Sequence, residues 1–190
     1  MMTIAKDVKL QVEFNPDYVQ AYRLVGYENR KMAAQDFHND KKDGGEIGAG
    51  HTVTALYEVV PVGAKFEHKR LPKLKYQTFG VKPRNKKNLD LLTLKVRYKK
   101  PESSSSALDE YTVMNKQQTF SQASDDFRFA GAVAAFGMLL KDSKFSGQVK
   151  MQDVKKWAEQ SLGSDEHGYR AEFVKIIDQA ISLRAKSRPQ

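Results

Sequence analysis

The sequence predicts an α+β chain: an antiparallel, sandwich-like β part over residues 1–120, then a three-helix part over 121–190 packed on it as one compact unit. Three observations predict this. Apolar residues recur at every second position in several runs before residue 120. Turn residues join those runs, which favours antiparallel over parallel pairing. From Ser121 onward the apolar spacing lengthens to that of a helix.

Val8, Leu10, Val12 and Phe14 alternate with Lys9, Gln11 and Glu13, the signature of a strand buried on one side. Asn15-Pro16-Asp17 turns the chain, and Tyr18–Tyr27, rich in aromatic and β-branched residues, returns as a second strand. A polar, glycine-rich stretch spans Ala33–Gly50. Thr52–Val60 is the next strand, closed by Pro61. Leu74, Tyr76 and Thr78 alternate with lysines and Gln77, and Leu92, Leu94, Val96 and Tyr98 alternate with Thr93, Lys95 and Arg97. Pro101-Glu102 and the serine run Ser103–Ser106 make a loop before a short strand, Tyr111–Met114. Ser124 is a helix N-cap, with Asp125 and Asp126 in the first turn, where the helix dipole favours acids. The helix it opens carries Phe129, Val133, Phe136 and Leu140. It is apolar almost all round, so burial on most sides is expected. Val154, Trp157, Ala158 and Leu162 mark a second helix, ended by Gly163, with Ser164 as the cap of a third. Tyr169, Phe173, Ile176, Ile177 and Ala180 line that third helix.

Composition narrows the function. The chain has 190 residues, 40% of them hydrophobic, enough for one core or two small ones and too many for a disordered chain. The longest apolar candidate, Phe129–Leu140, falls short of the roughly 18 residues a membrane span needs. The start, Met1-Met2-Thr3-Ile4, lacks a signal-peptide core, so the chain is expected to be cytosolic or a trimmed piece of something larger. Without cysteine there are no disulfides, thiolate zinc sites or cysteine nucleophiles. The net charge of +9 is local. Residues 61–100 hold 13 basic residues against Glu67 and Asp90, a net of +11, and the rest of the chain carries −2. Within it, Lys69, Arg70, Lys73, Lys75, Lys82, Arg84, Lys86 and Lys87 are the candidate binding residues. They form the plain solvated face of a sheet, a docking face for an acidic partner or, as the alternative binding function, a track for a polyanion such as nucleic acid or lipopolysaccharide. Nucleic acid is disfavoured because no RNA-binding signature is present.

Two motifs fall short. Gly45–Thr52 approaches a phosphate-binding loop, but His51 stands where the lysine is required and Val53-Thr54 continue a strand-like run. Asn39–Gly50 has Lys41 and Gly50 where a calcium loop needs acids. Another kind of calcium loop would draw on Asp36, Asp40, Asp43 and Glu46. Asp43, Glu46 and His51 are retained as candidate loop residues. The four histidines have no metal spacing, and no serine nucleophile motif occurs. The reading is therefore a non-enzyme with no cofactor or resident metal.

Val8–Pro16, Ala21–Arg30, Asp36–Gly44 and Glu46–Glu58 together resemble the region that follows the von Willebrand factor type A domain in a family of bacterial envelope proteins. Phe127-Arg128-Phe129-Ala130 and the later helices also fit, so the likeness runs from about Asp7 to Leu183. The resemblance implies an upstream type A domain in the same polypeptide, often behind a lipoprotein or secretory signal, and a place in the cell envelope or periplasm. It implies an accessory role in protein–protein interaction or assembly there, with the type A domain or another envelope protein as partner. The family's metal site begins with D-x-S-x-S. Asp142–Ser146 has the wrong spacing, so no metal ligand carries over to this chain.

Overall fold

The computed structural model describes residues 2–26, 32–65, 89–116 and 118–186. It is α+β, with antiparallel strands first and three helices last, as the sequence predicts. The chain divides into two compact units, Met1–Lys116 and Gln117–Gln190.

The first unit holds β1 (Thr3–Phe14), β2 (Val19–Val25), β3 (Gly45–Gly48), β4 (Leu56–Pro61), β5 (Asp90–Lys99) and β6 (Ser106–Met114). One sheet has the order β3-β1-β5-β6, and β2 pairs with β4 in a second, two-stranded sheet. The turn after Phe14 is set by Asn15, whose Oδ1 accepts from Asp17 N at 3.0 Å. Phe14 meets the other sheet through Tyr22 and Tyr57, at ring-centroid distances of 4.6 and 5.5 Å.

Alternation misplaces one residue pair. It predicts Leu10 inside and Lys9 outside, yet Leu10 is 54% exposed and Lys9 only 2%. The cause is the 33–44 segment, which lies over the lysine-bearing face. Asn39 O accepts from Lys9 Nζ at 2.8 Å, and Asp40 accepts from Arg97 at 3.0 Å. Phe37 in that segment is buried. The strand predicted from Thr52 begins only at Leu56, while the short Tyr111–Met114 strand extends back to Ser106.

The second unit is built from α1 (Asp125–Leu140), α2 (Met151–Glu159) and α3 (Tyr169–Lys186). Ser124 caps α1 as predicted, its Oγ accepting from Phe127 N at 3.2 Å. Ala132, Ala135 and Phe136 of α1 close on Met151, Val154 and Ala158 of α2 and on Ile177 of α3. The Phe173 ring stands edge-on to Phe129 and Phe136, at 5.5 and 5.3 Å. Burial of α1 on most sides is not seen: Phe127, Val133 and Leu140 remain exposed. Ser164 is not the cap of α3. Asp165 takes that role, accepting from Arg170 N through Oδ1 at 3.0 Å and from Ala171 N through Oδ2 at 2.9 Å. Those two backbone bonds hold its carboxyl below the usual carboxylate range.

Arg170 ties the helices together. Its Nη1 donates to Ser161 O at 3.0 Å, just beyond α2, and its Nη2 pairs with Asp126 of α1. The guanidinium also lies 4.9 Å from the Phe129 ring centre. Arg170→Ala should therefore cost this unit about 2 kcal/mol in urea denaturation, with Arg170→Lys recovering only part, because a lysine cannot reach both partners at once. Equal stability of Arg170→Ala and wild type would refute that account.

Candidate docking face

Lys69, Arg70, Lys73, Lys75, Lys82, Arg84, Lys86 and Lys87 lie outside the described residues. Asp43 is exposed beside Gly44, Glu46 sits in β3, and the His51 ring lies 3.3 Å from Ala49 O. Among the described residues no three His, Asp or Glu side chains converge to hold a metal ion. Of the loop carboxylates, Asp40 takes Arg97 on both oxygens and the Ser106 hydroxyl at 2.7 Å. These bonds, Ser106 first, hold its carboxyl below the usual range. Gly45–Gly48 is a strand paired with β1, and β4 follows it in place of the helix a phosphate loop would open.

Of the described cations of the basic stretch, the three on β5 are paired internally. Lys95 lies 3.8 Å from Glu110, Arg97 3.0 Å from Asp40, and Lys99 3.0 Å from Asp7. The Asp7 cluster is the tightest. Asp7 sits at a break in the β1 register with φ of 52°, and Gly44 passes so close that a Cβ there would meet the Asp7 and Val8 backbones at 2.8 Å. Lys9 Nζ reaches Oδ1 at 3.2 Å while Lys99 holds Oδ2. Burial pushes the Asp7 carboxyl up, but the bonds and charges of Lys99 and Lys9 outweigh it and leave its pKa below the ordinary 3.8.

A cleft of about 540 Å³ in the helical unit is lined by Asp125, Asp126, Asp165, Glu166, His167 and Arg170. Asp126 pairs with Arg170 and Asp165 caps α3, so these polar groups serve the helix junction.

The opposite face of the four-stranded sheet is apolar; among the described residues Tyr22 and Tyr57 of the second sheet pack on it at Phe14, while Leu10, Tyr111 and Val113 stand exposed. Cross-strand register sets Leu10, Val96 and Asp109 in one row, Val12, Leu94 and Tyr111 in the next, and Phe14, Leu92 and Val113 in the third. Leu10, Tyr111 and Val113 are 54%, 53% and 45% exposed, and the aliphatic members between them are half-buried. Contiguous apolar surface of this kind marks an interaction site more often than a solvated face. Asp109 alone breaks it, and its charge pushes the Tyr98 hydroxyl above its ordinary pKa of 10. Sequence reading missed this face because its strands look like half-buried strands. The available signal was that Tyr111 and Val113 repeat the alternation seen in Leu92–Tyr98.

Residues 1–183 match the model of the family described as "Uncharacterized protein YfbK, C-terminal". The uncharacterized protein YfbK of Escherichia coli (strain K12) is 40% identical over 180 residues, covering 95% of this chain and 30% of that protein. The chain thus spans less than a third of the length of this curated relative. No solved structure matches. Among the described residues, no helix is long and apolar enough to cross a membrane.

Proposed function

The chain belongs to the YfbK C-terminal family, and from that premise we propose that it is a non-catalytic accessory module that packs against the remainder of a longer polypeptide. In this reading the remainder carries a von Willebrand factor type A domain and the assembly works at the bacterial cell envelope, in protein–protein interaction or assembly. The observation that carries the reading is the exposed part of that apolar face, Leu10, Tyr111 and Val113. A module with these apolar side chains exposed gains by burying them, at roughly 25 cal/mol for each Å² removed from water. The match to only 30% of the relative's length supports a partner of this kind, the rest of a longer chain.

The test is calorimetric titration and co-elution of this chain with the portion of the E. coli relative that lies outside its matched 180 residues. Heat and a shared elution peak are expected at micromolar concentration. Neither at high micromolar concentration would sink the proposal. The polyanion alternative draws on a smaller track than the sequence offered, since Lys95, Arg97 and Lys99 each have an internal acid within 4 Å.

A further inference from the structure

β6 ends the strand order β3-β1-β5-β6, and among the described residues no strand pairs with its far side. Half of its backbone N–H and C=O groups therefore point away from the sheet, a ready template for another strand. Edge strands are usually protected by proline, lysine, a bulge, short length or an inward-pointing charge, and of these β6 has Asp109. The nine residues SALDEYTVM contain no proline, glycine, lysine or arginine, and their register with β5 runs without a break from Ser106 to Val113. The other edge differs. β3 has four residues, two of them glycine, and its register with β1 shifts twice.

The geometry points to β6 as the acceptor of an added strand, whose donor is an extended segment from the portion of the longer polypeptide outside the region this chain matches. This rests on the accessory-module reading above and names the contact through which it acts. Backbone bonds supply the affinity, and side chains at alternate positions supply the specificity. On one face the donor continues the rows ending in Tyr111 and Val113, so it is apolar there. On the other face it meets Glu110, whose carboxylate is 55% exposed and reaches Lys95 only at 3.8 Å, so it carries a basic residue there. A second copy of this chain fits less well. Two β6 strands paired antiparallel about their midpoint, Glu110, would set two glutamates opposite each other.

Amide hydrogen exchange on the whole chain, with and without the complementary portion of the E. coli relative, tests this. Exchange of the outward-pointing amides along Ser106–Met114 is expected to slow at least tenfold on mixing, with β3 unchanged. Tyr111→Lys and Val113→Lys, at half-exposed positions, should each weaken binding at least tenfold while melting as wild type does. Glu102→Lys, in the turn before β6, should bind normally. If wild type binds but β6 exchange and the two lysine variants show no change, the strand-addition inference falls while the accessory-module reading stands. If wild type does not bind at all, both fall. Slow exchange of the outward-pointing β6 amides in the chain alone also overturns the inference: at all concentrations it means the edge is covered from within, and only at high concentration it means a second copy covers it.

Discussion

Asp7→Asn is expected to lower the stability of the sheet unit by about 3 kcal/mol, the usual cost of leaving a buried charge without its partner. Asparagine tolerates the left-handed φ of 52° nearly as well as aspartate, so the substitution removes charge with little change in backbone strain. What remains is Lys9, its side chain 1% exposed, with only the Asn39 carbonyl to hold it. The pH dependence follows from the same cluster. The folded pKa of Asp7 is lowered, so the unfolded state binds the proton more readily. The stabilisation is complete above the unfolded value near 3.8 and is lost as pH falls through the folded value. Wild type should thus lose stability below about pH 4 more steeply than Asp7→Asn. Urea denaturation followed by circular dichroism at pH 7 and pH 3 checks both points. A cost under about 1 kcal/mol at pH 7 would show that the ion cluster is not what holds β1 to β5 at this end.

Ile177→Ala should destabilise the helical unit by about 3 kcal/mol, and Ile177→Val by about 1 kcal/mol. Ile177 has no exposed surface and sits in the cluster with Ala132, Phe136, Val154 and Ala158. Truncation leaves a cavity among three helices that share this one cluster. The chain's single tryptophan, Trp157, packs against this cluster, so its fluorescence reports the helical unit and not the sheet. Denaturation followed at Trp157 should move to lower urea in both variants. An unchanged midpoint for Ile177→Ala would mean that the cluster is not the core of this unit.

The parts of this architecture legible in the sequence are those fixed by local pattern. The alternation of Leu92–Tyr98, the turn at Asn15 and the cap at Ser124 each depend on neighbours a few residues away. β3 escaped because four residues with one large apolar side chain, Ile47, carry no period, and their strand character comes from pairing with β1. Alternation places Lys9 in solvent because nothing near it in sequence announces Asn39 and Lys99 as its surroundings. The cap of α3 went to Ser164 on residue type, whereas the carboxylate of Asp165 reaches two N–H groups at once. The basic stretch illustrates the same limit from the functional side. Its charge was countable, but which cations already had acids beside them depended on Asp7 and Asp40, far back in the chain.

The place of β1 in the middle of its sheet also bears on how the unit assembles. β5 and β6 are joined by the short turn between Lys99 and Ser106, so their hairpin closes locally and early. β1 is made first yet waits for β5. Joining Asn15 to Asp90 closes a separation of 75 residues, at an entropic cost on the order of 4 kcal/mol. Such long-range pairing slows folding. During synthesis the N-terminal strand therefore emerges well before the partner that satisfies it, with the Asp7–Lys99 contact available only once β5 has left the ribosome.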